Sequence, residues 1–187
     1  MAASDRPGMD GHVVGGKARR QAFILGSAPW VALGTLGAVG AAYAQLPFRV
    51  EQVDPLRVAA TWSFVAMLPY AAVCLVILRN RLREGSHNPT VGGETPSLVI
   101  HCRVMQNTLE QLVWFALCVF PLATVLGPAE IHLLPIASVG FVVARLAYWR
   151  GYFADGTLGR RYGVQMTFTL NIGLLVLTAA LLILRAP

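Results

Sequence analysis

Five stretches of the chain are apolar throughout, at about residues 21–46, 56–78, 98–126, 131–150 and 163–185. Each is near or above the roughly 20 residues a helix needs to cross the hydrocarbon core. No stretch alternates apolar and polar positions as a half-buried strand would. The pattern predicts an all-α integral membrane protein, with four spans over residues 56–185 and one further hydrophobic segment before them. Pro29, Pro69, Pro121 and Pro135 fall inside the runs and predict kinks whose freed carbonyls are satisfied by neighbours. Residues 1–20 are polar, rich in Gly, Ala and Asp, and predict a disordered basic tail.

The first hydrophobic segment, residues 21–46, has two readings. Its basic entry, Lys17-Ala18-Arg19-Arg20, and its Ala42-Tyr43-Ala44 end resemble a signal peptide. The run is longer than the usual hydrophobic region of such a peptide, which favours an extra transmembrane helix.

Composition agrees with a membrane protein. Of 187 residues, 56% are hydrophobic and 13% charged, with mean hydropathy +0.59. The net charge of +6 does not call for nucleic acid, because the basic residues sit in short clusters between apolar runs. Arg6, Lys17, Arg19, Arg20, Arg79, Arg81, Arg83, Arg150, Arg160 and Arg161 fall on one side of the predicted topology. Arg49, Arg57 and Arg185 fall on the other, so the positive-inside rule puts the first group in the cytoplasm. Cys74, Cys102 and Cys118 lie inside apolar runs at uneven spacing, and neither a disulfide framework nor a metal site is expected. The richness in Gly, Ala and Arg fits a bacterial plasma or inner membrane.

Polar residues inside the spans carry the candidate chemistry. In Arg103-Val-Met-Gln-Asn107-Thr-Leu-Glu110, offsets of four and seven place three polar side chains on one helix face. A charge near the middle of a span costs about 2.5–3.5 kcal/mol even on the insertion scale, so each needs a partner. That partner is a polar seam between helices, a ligand, or both. Arg145, Tyr148, Trp149 and Tyr152 share a face of the fourth run, and Arg160 and Arg161 precede the fifth. All converge on the cytoplasmic side. One carboxylate among several guanidiniums makes a partly desolvated, positive cleft suited to an anionic ligand. A small molecule with two carboxylates and one amine, such as glutathione, meets those demands. A guanidinium beside its thiol would favour the nucleophilic thiolate.

The stretch Arg103-Val-Met-Gln-Asn-Thr-Leu-Glu-Gln111 resembles the R-x-x-x-N-x-x-E signature of the MAPEG family, the membrane-associated proteins in eicosanoid and glutathione metabolism. The segment from Ala144 to Gly163 is similar to that family's next motif, an Arg, two Tyr four apart, and an Arg opening the final helix. The resemblance covers about residues 56–185 and implies a four-helix bundle assembling as a homotrimer with glutathione between subunits. Arg103, Asn107 and Glu110 would then hold glutathione from one subunit, and Arg145, Tyr148 and Tyr152 from its neighbour. Arg160 or Arg161 would stabilise the thiolate, Arg160 having the family's R-x-x-G spacing to Gly163. One of Arg79, Arg81 or Arg83 would reach a glutathione carboxylate from the loop. The implied activity is that of a microsomal glutathione transferase, a detoxifying enzyme conjugating glutathione to a lipophilic electrophile, with peroxidase side activity. Membrane lipids and a lipophilic substrate are the other expected partners; no metal is. The alternative is a non-catalytic membrane scaffold or lipid-binding protein of the same fold.

Overall fold

The computed structural model describes residues 10–46, 54–84 and 95–185. Five helices carry nearly all of them: α1 Asp10–Gln45, α2 Pro55–Glu84, α3 Pro96–Val125, α4 Leu133–Gly159 and α5 Arg161–Leu184. All five are long and apolar enough to span a membrane. Helices α2 to α5 pack in the ring order α2, α3, α5, α4, with α3 and α4 also touching across it, while α1 lies outside the ring against α5 and α4.

Several helix boundaries differ from those read off the hydrophobic runs. Residues 10–20, expected as disordered tail, continue α1. Lys17, Ala18, Arg19, Arg20 and Gln21 are strong helix formers, and a helix already nucleated by the apolar run extends through them at little cost. Residues 1–9 of the expected tail lie outside the described residues. α2 runs on to Glu84, so Arg79, Arg81 and Arg83 stand on its last two turns rather than in a loop. α4 runs to Gly159 through a segment expected as loop. Hydropathy marks where the bilayer ends, not where hydrogen bonding does. Pro135 makes no mid-helix kink, because α4 begins at Leu133. In a first turn the missing N–H would have had no intrahelical acceptor anyway.

The start of α3 is fixed by Thr95, whose hydroxyl oxygen accepts from the Leu98 N–H at 3.3 Å and donates to the Glu84 carboxylate at 3.1 Å. Pro96 occupies the first turn. This N-cap satisfies one orphan donor of α3 and ties it to the end of α2. Inside the bundle, Ala59 and Ala66 on α2 and Ala123 and Ala137 on α3 and α4 are buried with Phe115 and Phe141, whose rings lie 4.7 Å apart. Small residues let helices approach where lipid supplies no hydrophobic drive. Polar stitches join α3 to α5: Asn171 Nδ2 donates to the Gln111 carbonyl and side-chain oxygens at 3.1 and 3.0 Å, and Thr178 Oγ1 donates to the Cys118 carbonyl at 3.3 Å. A second core, with Val73, Ile77, Leu98, Val104, Tyr148 and Tyr152, fills the end of the bundle that carries the polar motif.

Candidate functional site

The polar motif of α3 and the Arg-Tyr motif of α4 meet within one chain. Arg145 is 1% exposed and anchors the contact. Its Nη2 donates to Asn107 Oδ1 at 3.0 Å and to Thr108 Oγ1 at 2.9 Å, and its guanidinium carbon lies 4.1 Å from the Tyr148 ring centre. Its Nε and Nη1 have no hydrogen-bond acceptor among the described residues. Unmet donors on a buried cation are costly, and natural proteins keep few of them. Towards the helix end, Arg103 Nη1 makes a long hydrogen bond to the Tyr152 hydroxyl at 3.5 Å. The Arg160 guanidinium carbon stands 4.9 Å from the centre of the same ring. Tyr152 is thus the meeting point of two cations, one from α3 and one from the junction of α4 and α5.

Backbone geometry brings Arg160 there. α4 breaks at Asp155 and Gly156, where Gly156 takes φ 48°, a conformation that side chains disfavour. The turn returns the chain so that α5 starts alongside α4. Gly163 then passes so close to Tyr148 that a Cβ on it would strike the Tyr148 backbone N and Cα. Only hydrogen fits there, and the close approach fixes the register between Arg160 and the Tyr148–Tyr152 face.

The two adjacent arginines part company. Arg161 stacks on Phe23 of α1 at 4.2 Å and on Tyr162 at 4.3 Å, and donates to the Leu158 carbonyl at 3.4 Å. Beside it, Gln165 Nε2 donates to the Ile24 carbonyl at 2.7 Å and contacts Ser27 Oγ at 3.1 Å. Successive helical residues are about 100° apart, so one arginine faces the α4 tyrosines while the next faces α1. Glu110 is exposed and accepts from Gln106 Nε2 at 3.3 Å; no hydrogen bond or ion pair joins it to an arginine among the described residues. Trp149 is turned away from Arg145 and donates from Nε1 to His101 Nδ1 at 3.3 Å.

None of Arg103, Arg145, Arg160 and Arg161 lies within ion-pair distance of a carboxylate among the described residues. Their partners are amide, hydroxyl and aromatic groups, all neutral. Thr108 was not singled out by the sequence pattern, yet it is an acceptor of Arg145. A hydroxyl next to Asn107 inside an apolar run was the available signal.

Residues 59–180, well over half of the chain, match the MAPEG family. The chain belongs to that family. No curated protein and no solved structure matches it. As a MAPEG protein it is an integral membrane helical bundle of a family that includes glutathione transferases and related membrane proteins. The matched region holds Arg103, Asn107, Glu110, Arg145, Tyr148, Tyr152, Arg160 and Arg161, and it leaves out all of α1, the first turn of α2 and the last turn of α5.

Proposed function

We propose that this MAPEG protein is a membrane glutathione transferase that conjugates glutathione to a lipophilic electrophile. The observation that carries the reading is the gathering of Arg103, Arg145 and Arg160 around Tyr148 and Tyr152 without a compensating carboxylate among the described residues. A cluster of cations backed by a buried one favours an anion, and guanidinium forks match carboxylates. Exposed Arg103 and half-buried Arg160 are the groups open to a ligand, while Arg145, Tyr148 and Asn107 back them from within. Glu110, exposed on the same face of α3, is suited to the ligand's ammonium group. The positive end lies on the cytoplasmic side by the count of basic residues, where glutathione would enter.

Arg160 would hold the thiol as thiolate, which attacks the electrophile's carbon. The new C–S bond forms as a leaving group departs with its electron pair, or as an activated double bond takes up a proton. Proximity and thiolate activation supply the rate. In a homotrimer the outward face of Arg103, Gln106 and Glu110 would meet a neighbouring subunit and complete the site.

The test is turnover of a chromogenic aryl halide with glutathione by the purified full-length chain. The reading expects saturable conjugation that Arg160→Ala abolishes and Arg161→Ala largely spares, with oligomeric state unchanged in both. Equal activity in Arg160→Ala and wild type would overturn it. Docking of Arg161 and Gln165 onto α1 favours a second reading, a non-catalytic scaffold whose first helix presents the bundle to a partner. That reading expects no conjugation by well-folded protein.

A further inference from the structure

At the opposite end of the bundle, α1 touches α4 and α5 but does not reach α2 among the described residues. The gap left is a cavity of about 690 Å³, within the range of small-molecule sites. Its walls come from the last turns of α1, the start of α2 and the first half of α4, including Ala42, Val58, Trp62, His132, Ile136 and Val139. From His132 to Gly140 the wall runs about 12 Å along α4, at roughly 1.5 Å per residue. The lining is apolar save for the indole of Trp62 and the ring of His132.

His132 is 6% exposed and already partly employed. Its ring stacks on Tyr43 with centres 4.2 Å apart, and its Nε2 lies 3.2 Å from the Tyr43 carbonyl oxygen. That carbonyl belongs to the last turn of α1, where no intrahelical donor remains, so His132 caps α1. A carbonyl only accepts, so Nε2 carries the proton, and Nδ1 of the neutral ring becomes an acceptor. Nδ1 has no partner among the described residues. A buried acceptor without a donor costs about 1–3 kcal/mol.

We infer that this cavity binds a long-chain lipophile bearing a single hydroxyl, with the alkyl chain between α1, α2 and α4 and the O–H donated to His132. The inference is independent of the glutathione reading. The ester groups of a phospholipid and the phosphatidylcholine head group accept hydrogen bonds without donating them, and an alkane offers no polar group, so none of these meets the demand of Nδ1. The α1 wall of the site lies outside the family-matched residues, so the site is not part of the matched four-helix core.

The experiment is photo-crosslinking of the full-length protein in phosphatidylcholine nanodiscs with a diazirine analogue of 1-dodecanol, read by peptide mass spectrometry. Labelling of peptides spanning 38–46 and 131–140 is expected to saturate, and to be displaced by 1-dodecanol at concentrations at least tenfold below those needed for dodecane. His132→Phe keeps an aromatic face for Tyr43 but lacks the acceptor, and is expected to erase that tenfold preference. Val139→Trp, at a half-exposed position, is expected to block labelling without disturbing the core. Labelling that never saturates, equal displacement by dodecane in wild type, or labelling unchanged in both variants would overturn the proposal. Equal displacement would identify the cavity as a place for lipid acyl chains alone.

Discussion

The two ends of the bundle treat arginine in opposite ways. At one end, Arg185 grips Glu130 with two hydrogen bonds of 2.7 and 2.8 Å and donates a third to the Val125 carbonyl at 2.7 Å. Glu130 also accepts from the Gly127 N–H at 2.9 Å, so the end of α5 is fastened to the loop between α3 and α4. At the other end, Arg103, Arg145 and Arg160 meet only neutral groups. A guanidinium with its own carboxylate is a fastener. One with only amide, hydroxyl and ring partners keeps its charge uncompensated. Fixing such charges in place before a ligand arrives is what anion recognition requires, and it costs stability that the Arg185 end does not forgo.

The largest expected effect separates the two ends by function. Arg160→Ala should lower conjugation at least about 100-fold, the scale of removing one preorganised charge-stabilising group. Arg185→Ala should leave it within about twofold, since this fastener lies at the far end of the bundle. Steady-state turnover with glutathione checks both.

Asn107→Leu probes the layer behind the site. It takes one of two acceptors from the buried Arg145 and should destabilise the protein by about 1–3 kcal/mol, read as a fall in thermal unfolding temperature in detergent. No loss would mean that Arg145 does not depend on α3 for its place. Gly156→Ala strains the break that returns Arg160 to Tyr152. It should cost a similar 1–3 kcal/mol and raise KM for glutathione more than that for the electrophile. Equal changes in the two constants would detach the turn from the site.

The smallest effect is a pH dependence at the fastened end. Hydrogen bonds from Arg185, then from the Gly127 N–H, hold the Glu130 carboxyl at about 2, well below the usual carboxylate range. A depressed carboxyl stabilises the fold fully above its unfolded value, about 4.3, and loses that contribution as pH falls towards 2. Thermal stability of wild type relative to Glu130→Gln should therefore narrow between those pH values. A constant difference across the window would show that the pair is not coupled to folding.

Much of this contrast can be traced to the sequence, and some of it cannot. The spans were legible because a 20-residue apolar run has few other uses, and the Arg103–Asn107–Glu110 face because charges inside a span must be accounted for. The helical extensions of α2 and α4 were not, since charged residues beyond the bilayer read the same in a helix as in a loop. The division of labour between Arg160 and Arg161 was only half legible. Spacing to Gly163 favoured Arg160, but which neighbour each arginine faces depends on the break at Gly156 and on where α1 packs. Thr108 and Asn171 escaped for the same reason, because a lone polar residue in a span has meaning only once the opposing helix is known.

The most direct measurement is the ultraviolet difference spectrum of detergent-purified protein mixed with glutathione. The account predicts a saturable thiolate band in wild type and in Arg161→Ala, and its loss in Arg160→Ala. A band of full size in Arg160→Ala, or none in folded wild type at any glutathione concentration, would contradict it.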